Sequence, residues 1–325
     1  MEETKLQKET FKDKLKASNY IVFIVLLVLS AFLGILSPVF FSGDNIMNIL
    51  LQASINGVIA VGLTMVIITG GIDLSVGSVV AVAGIFMGLV KNVLGPENPL
   101  SGILGILGAL VIGALLGSIN GVMITKGKLP PFIATLGMMT IGRGLALVMS
   151  DGRPIGDIPP LIRFIGGEKI LGVYTPIIIM VIVYVVAYWL LKYTRQGRNT
   201  YATGGNMEAA KLSGINVNRT IVNTYVLSGI CSGIAAVMLV GRLNSAAPTA
   251  GLEYEMNAIA ASVIGGTSMS GGEGSILGTL IGALLISVLR NGLNILGVSS
   301  YWQQIAIGLV IIFAVLSDTL KHRNQ

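Results

Sequence analysis

The sequence predicts an all-α membrane protein, a polytopic bundle of about ten spanning helices, some of them broken. Hydrophobic residues make up 53% of the chain and charged residues 11%, whereas about a quarter of the residues of a soluble domain are charged. Apolar runs recur at the length that an α-helix needs to cross the hydrocarbon core, while barrel strands would be short and alternating. The 43 glycines let helix backbones approach closely in lipid.

Ten apolar runs are candidate spans. The first, at about 20–37, follows a charged segment at 1–19, which we assign to the cytoplasm. Ser37 to Phe41 does not resemble a signal-peptide cleavage site, so we expect the first helix to be retained. The others lie at 45–68, 76–94, 101–125, 131–150, 173–192, 220–241, 254–268, 275–296 and 301–318. Residues 20–318 then form one transmembrane domain, followed by a tail at 319–325.

The positions of Lys and Arg set the predicted orientation, because short loops rich in these residues stay in the cytoplasm. A cytoplasmic N-terminus places 126–128, 192–219 and 321–323 on that side, together with the C-terminus. The loop at 151–172 then faces outside. It is rich in Gly and Pro and contains both acidic and basic residues, so we expect an ordered external surface there.

The composition argues against several classes of function. The net charge of +6 comes from Lys and Arg beside hydrophobic runs, so we do not expect nucleic-acid binding. Cys231 is the only cysteine, which excludes an intrachain disulfide and a cysteine metal cluster; we expect it to be buried. His322 is the only histidine and lies near the C-terminus. No nucleophile, base and orienting group occur together, so an enzyme is not expected.

A glycine-rich break separates the second and third apolar runs. Residues 70–78 are Gly-Gly-Ile-Asp-Leu-Ser-Val-Gly-Ser. In one interpretation Asp73 caps the following helix, because Asp and Ser side chains accept hydrogen bonds from free N–H groups at helix starts. In the other, the helix is broken at a translocation path, since charged groups at membrane depth usually face a cavity or the bundle interior. Both can hold together.

Residues 265–272 repeat part of this motif: Gly-Gly, then Ser four positions on, then Gly two positions later. Inverted repeats are common in transporters, but the predicted topology gives these two copies the same orientation. We interpret the similarity as local backbone chemistry or a parallel repeat, with chance as the alternative.

Polar side chains also occur inside the apolar runs. Amides and hydroxyls both donate and accept hydrogen bonds, which suits a hydroxyl-rich neutral solute; interhelical hydrogen bonds are the alternative. Arg143 and Arg290 are charged, so burying them in lipid costs more free energy than burying a neutral polar side chain. Hydrogen bonds to backbone carbonyls, or snorkelling to the membrane interface, would account for them. The candidates for lining a path are Gln52, Asn56, Asp73, Ser75, Ser78, Asn257, Asn291 and Asn294.

The segment at 193–219 is a polar, basic island in an apolar chain. Good helix formers at 208–212 lie between Gly204-Gly205-Asn206 and Gly214, which predicts a short helix outside the bilayer. Its alanines offer a smooth face to another protein, with Glu208 near the positive helix N-terminus. Packing on its own bundle is the alternative.

The chain shows no nucleotide-binding motif of its own. The closest approach to a phosphate loop, at 121–129, has one spacer too many and Leu129 in place of the Ser or Thr that binds magnesium. We therefore expect no cofactor in this chain, and any ATP hydrolysis in a partner.

Three motifs resemble those of a known family, the membrane permease subunits of ATP-binding-cassette monosaccharide importers of the ribose, xylose and arabinose type. Residues 205–217 resemble that family's Glu-Ala-Ala loop, and 70–78 and 130–137 are similar to two other hallmarks. The resemblance covers residues from about 20 to 318 and is closest to the ribose branch. Distant members of the family transport branched-chain amino acids.

The resemblance implies a homodimeric pore in a prokaryotic cell membrane. Two cytoplasmic ATPase subunits, which bind ATP and magnesium, would contact it, and an external sugar-binding protein would deliver ribose or a similar monosaccharide. The implied coupling residues are Gly205, Asn206, Glu208, Ala209, Ala210 and Gly214. The alternatives are an ion-coupled carrier of a small polar solute acting through Asp73, although other intramembrane acids are scarce, and a permease of the same family for another solute such as a branched-chain amino acid. A membrane scaffold is a further possibility.

Overall fold

The computed structural model describes residues 20–323 and is almost entirely helical. Seven of the described helices are long and apolar enough to cross a membrane: α2 (Gly43–Ile68), α3 (Val76–Leu94), α4 (Pro99–Thr125), α5 (Pro131–Met149), α7 (Thr175–Tyr193), α10 (Val217–Leu243) and α12 (Ile276–Ile295). Two further apolar helices lie at the ends of the described chain, α1 (Tyr20–Leu36) and α13 (Ser300–Arg323). The predicted helical membrane bundle is confirmed; the predicted segment 1–19 and the last two residues of the predicted tail at 319–325 lie outside the described residues.

The remaining elements are short. They are the helices α6 (Pro160–Gly167), α8 (Arg195–Gly205), α9 (Met207–Leu212) and α11 (Tyr254–Ile264), and the strands β1 (Ile155–Gly156), β2 (Lys169–Ile170), β3 (Val173–Tyr174) and β4 (Ser245–Ala246). The strands form two antiparallel pairs, β1 with β4 and β2 with β3. The loop predicted to be ordered at 151–172 therefore contains two strands and a helix, and β1 ties it to the chain that follows α10.

The helix α11 is shorter than the predicted span at 254–268. Its eleven residues extend about 16 Å, roughly half of the hydrocarbon thickness. It begins after Gly251 and Glu253, which both have positive φ (71° and 65°), and it ends before Gly266, with φ of 85°. The predicted span extends through Gly265 and Gly266 to Ser268, whereas the helix ends at Ile264. The count of ten crossings and the orientation stay predictions.

Two unwound segments reach the middle of the bundle from opposite ends. Residues 69–75 follow α2, and their Asp73 bonds to Ser228, eleven residues into α10 and thus about 16 Å from its start. Residues 244–253 follow the far end of α10. The second segment packs on the first turn of α3, directly after the first segment: a Cβ on Gly251 would lie 2.5 Å from the Gly77 carbonyl oxygen.

Glycines allow α4 and α10 to pack backbone to backbone, as the composition predicts. A Cβ on Gly229 would overlap the Gly113 carbonyl, and one on Gly233 would lie 2.7 Å from the Ala109 carbonyl oxygen. In lipid such close packing replaces the missing hydrophobic force between helices. Cys231 lies in the same stretch of α10 and is buried, as predicted.

Candidate functional site

The helix α9 lies where the sequence predicts a short helix. Asn206 begins it, because its side chain accepts a hydrogen bond from the Ala209 N–H at 2.9 Å. Gly214 follows its end with a φ of 80°, the left-handed conformation in which helices commonly stop and which favours glycine. Gly205, just before the helix, is exposed.

One side of α9 is buried and the other is exposed. Ala210 is buried and packs with a small cluster of apolar residues: Val66, Val217, Ile221 and Tyr225. Met207, Glu208, Ala209 and Lys211 are exposed, and Leu212 is 90% exposed. Of the two alanines expected to form a smooth docking face, only Ala209 is therefore on the exposed side. An exposed Leu and Met beside a Glu and a Lys are suited to contact with another protein.

Three glycine-rich segments meet at the end of the bundle that includes α8 and α9. We name this contact the glycine junction and define it by 68–70, 204–205 and 270–272. The Gly272 N–H donates to the Ile68 carbonyl at 2.8 Å. A Cβ on Gly204 would overlap that carbonyl oxygen and lie 2.5 Å from the Gly272 nitrogen. The end of α8 thus touches the last residue of α2 and the motif at 265–272 through backbone atoms, and Gly271 of that motif packs on Gly70.

A tyrosine reinforces the same contact. Tyr201 on α8 donates its hydroxyl proton to the Gly274 carbonyl at 2.9 Å, and burial raises the pKa of this phenol to about 12. The phenol therefore stays a hydrogen-bond donor across the physiological pH range.

Asp73 lies in a buried network of hydroxyls. Its Oδ1 accepts hydrogen bonds from the Ser75 N–H (3.0 Å) and the Ser75 hydroxyl (2.6 Å), and its Oδ2 accepts one from the Ser228 hydroxyl (2.9 Å). Asn120 on α4 in turn donates to Ser75 Oγ at 2.8 Å. A buried carboxylate needs such donors to offset its lost hydration. Asp73 thereby connects the break at 69–75 with α10 and, through Ser75, with α4.

Asp73 does not cap α3, so that interpretation is wrong: the N–H that it bonds belongs to Ser75, the residue before the helix, and Ser75 makes no side-chain cap of its own. The role of this loop in a translocation path stays a prediction. Asp73, Ser75 and Ser78 are all buried in this structure, Asp73 to 1% exposure.

Arg143 holds the second unwound segment. Its Nη1 donates to the carbonyls of Pro248 (2.6 Å) and Ala250 (2.8 Å), which confirms backbone pairing as the explanation for this arginine. Close by, a Cβ on Gly77 would lie 2.6 Å from a Glu255 carboxylate oxygen. The middle of the bundle thus brings together a guanidinium, a carboxylate and two unwound stretches of backbone.

The other predicted path residues do not form one site. Asn291 is buried in a reciprocal amide pair with Asn45, at 2.8 and 3.0 Å. Asn257 is buried, donates to the Glu253 carbonyl and accepts from Arg290. Asn294 is exposed and accepts from a glutamine of α13. Gln52 and Asn56 are half-buried on α2. Among the described residues, no group of three or more His, Cys, Asp or Glu could hold a metal ion.

The sequence analysis missed three residues at these contacts. Gly204 precedes the predicted coupling residues, and its place in a Gly-Gly pair was a usable signal. Glu253 could also have been found, since it is an acid directly before a predicted span. No signal pointed to Ser228, because its partner Asp73 is 155 residues away in the chain.

Comparison with known proteins identifies relatives across almost the whole chain. The family described as "Branched-chain amino acid transport system / permease component" matches residues 45–315. The ribose import permease protein of Haemophilus influenzae is 50% identical over 296 residues, 91% of each chain, and that of Bacillus subtilis is 49% identical over 305 residues, 92% of each chain. The D-allose transport system permease protein of Escherichia coli is 39% identical over 316 residues, 97% of this chain and 95% of its own.

Proposed function

The chain belongs to the branched-chain amino acid transport system permease family, and on this premise we propose that it is the membrane subunit of an ATP-driven importer of ribose or a similar monosaccharide. Its relatives at 49 and 50% identity are ribose import permeases, and seven helices in the described part of the chain are long and apolar enough to cross a membrane. The D-allose relative favours a sugar in general over ribose alone.

The exposed face of α9 is the observation that best supports coupling to a partner ATPase. Leu212 is 90% exposed at the end of a helix whose other face is packed on the bundle. An isolated exposed leucine is ordinary, but here it lies beside Met207, Glu208 and Lys211, so the helix offers both apolar and charged contacts. The partner would bind ATP and magnesium, and a second copy of this chain and an external sugar-binding protein would complete the importer.

The glycine junction supplies a route from that helix to the bundle interior. The α8 residue Gly204 contacts Ile68, where α2 ends, and Gly272, just before α12. Because these contacts are between backbones, displacement of α8 by a partner has to displace both loops.

Co-purification tests the proposal. The tagged chain, expressed with its candidate ATPase, should bring the ATPase down, and Glu208→Lys should release it by reversing the charge on the exposed face. Glu97→Lys is the matched control, since Glu97 is also exposed but lies between α3 and α4. Equal recovery of the ATPase with both variants would contradict the role of α9.

Uptake into proteoliposomes tests the energy source. ATP-dependent uptake of ribose that requires the ATPase supports the proposal. Uptake by this chain alone without ATP, abolished by Asp73→Asn, would establish an ion-coupled carrier instead.

A further inference from the structure

An open polar cavity of about 260 Å³ lies between the start of α11 and the hairpin of α12 and α13, and most of its lining residues are exposed. It is lined by Glu253, Arg290, Asn294, Ser300, Gln303 and Gln304. Its volume corresponds to roughly nine molecules of liquid water, which is enough for a small solute. Ligand pockets are mostly lined by hydrophobic side chains, whereas every residue lining this one is polar or charged. Such a lining suits a solute with hydroxyls on all its sides.

The side chains around the cavity are held in place by hydrogen bonds. Gln304 Nε2 donates to Glu253 Oε1 at 2.9 Å, and Gln303 Nε2 donates to Asn294 Oδ1 at 2.8 Å. Arg290 Nη2 donates to the Asn257 amide oxygen at 3.2 Å. A carboxylate accepts several hydrogen bonds and a guanidinium has five N–H donors, so both groups retain capacity for a ligand.

Opposite charges face the cavity without neutralising each other directly. Within the described part of the chain, Glu253 and Arg290 form no ion pair at 4 Å or less. The Glu253 carboxylate, which only accepts hydrogen bonds, and the Arg290 guanidinium, which only donates them, therefore both line the cavity without pairing with each other. A hydroxyl can donate to the first and accept from the second, which makes a polyol complementary to the pair.

The backbone at Glu253 directs this arrangement. Glu253 precedes α11 with a φ of 65°, which is uncommon for a residue other than glycine. Such conformations occur preferentially at functional sites, where the surroundings hold them. Here it lies where the unwound segment 244–253 becomes helix, and discontinuous helices of this kind form solute sites in other transporters.

We propose that this cavity is a solute subsite for a monosaccharide, in which Glu253 accepts and Arg290 donates hydrogen bonds to hydroxyls. The subsite rests on the proposed function, because it identifies where the cargo is held in this chain. It disfavours branched-chain amino acids: Glu253 and Arg290 could bind the ammonium and carboxylate groups, but no hydrophobic residue is among those that line the cavity to receive the aliphatic side chain.

Cysteine protection tests the proposal directly. The single native cysteine, Cys231, is buried, so Asn294→Cys introduces one accessible thiol at the cavity. Ser299→Cys is the matched control, because Ser299 is exposed on the same connection but does not line the cavity. The labelling rate by a small charged thiol reagent is measured for the full chain in proteoliposomes, with and without ribose.

By mass action, ribose at about ten times its dissociation constant slows labelling at position 294 by about tenfold, with labelling at 299 unchanged. In the Asn294→Cys background, Glu253→Gln and Arg290→Lys should each require more ribose for the same protection, whereas Glu97→Gln should not. Ribose that protects neither position, or both equally, overturns the subsite, and so does leucine that protects position 294 as well as ribose does.

The ATP-driven importer and the solute subsite can be refuted independently of each other. ATP-dependent ribose uptake by the wild-type assembly without protection at 294 overturns the subsite and leaves the importer intact. Protection at 294 without ATP-dependent uptake supports the subsite and overturns the ATP-driven importer.

Discussion

Replacing Gly204 with alanine tests whether the glycine junction joins the coupling segment to the bundle. The neighbouring Gly205 is an internal control, since a Cβ there would have nothing within 4 Å. Both residues end the same helix, so alanine raises helix propensity at both by up to about 1 kcal/mol. Any difference between the two variants therefore reports on the packing of the junction.

The structure indicates a large difference. At Gly204 the added methyl would overlap the Ile68 carbonyl and lie 2.5 Å from the Gly272 nitrogen. Overpacking of this kind costs about 1–3 kcal/mol. The methyl group also pushes the Gly272 and Ile68 backbones apart and so disrupts the 2.8 Å hydrogen bond between them. Losing this bond costs about 0.5–1.5 kcal/mol. We expect Gly204→Ala to be less stable than Gly205→Ala by about 2–4 kcal/mol.

Thermal unfolding of the purified chain, followed by loss of the monodisperse peak in size-exclusion chromatography, measures this difference. Gly204→Ala should unfold several degrees below wild type, and Gly205→Ala at or slightly above it. Under the proposed function, ATP-dependent uptake should fall in Gly204→Ala. Equal unfolding temperatures for the two variants would refute the packing of the junction, whatever the result for uptake.

Three other predictions use the same unfolding measurement. Ala210→Leu should destabilise the chain by about 1–3 kcal/mol, because Ala210 is buried on the bundle, whereas Ala209→Leu should leave stability unchanged and weaken only ATPase recovery; equal destabilisation would contradict the orientation of α9. Asp73→Leu should lower the free energy of unfolding more than Asp73→Asn does, because leucine leaves the Ser75 and Ser228 hydroxyls without an acceptor. Each unsatisfied hydroxyl costs about 1–3 kcal/mol, and equal destabilisation by the two variants would argue against the network. Tyr201→Phe should lower the free energy of unfolding by about 0.5–1.5 kcal/mol through the lost bond to Gly274, equally at pH 6 and 9, because burial raises the pKa of the phenol to about 12; unfolding temperatures equal to those of wild type would contradict this bond.

Hydropathy predicted the long helices well, because the membrane imposes one length on every crossing segment. The predicted run at 76–94 has the bounds of α3 in the structure, and the predicted short helix at 208–212 lies within α9. Local chemistry was sufficient in both cases: Ser75 and Gly95 bound the first, and Asn206 and Gly214 the second.

Contacts between distant segments could not be predicted from one sequence. The amides of Asn45 and Asn291 pair across 246 positions, and Thr64 on α2 bonds to Ser262 and Thr279 across 198 and 215. Each of these side chains has many compatible partners, and only the packing of the helices selects one. The unwound start of α11 was missed for a related reason, since it is held by Arg143 on α5 and by Gly77 rather than by its own sequence.

The contacts at the glycine junction and those in the middle of the bundle differ in stiffness, and under the proposed function this difference bears on how movement of α8 and α9 would reach the middle. At the glycine junction, backbone packs on backbone, and no side chain can change rotamer to absorb a displacement. At the middle, residues 69–75 and 244–253 are held by Asp73 and Arg143 through hydrogen bonds to hydroxyls and carbonyls, which can exchange partners. A displacement of α8 would therefore move the α2 and α12 ends together, and the polar contacts around Gly77 and Gly251 would change first.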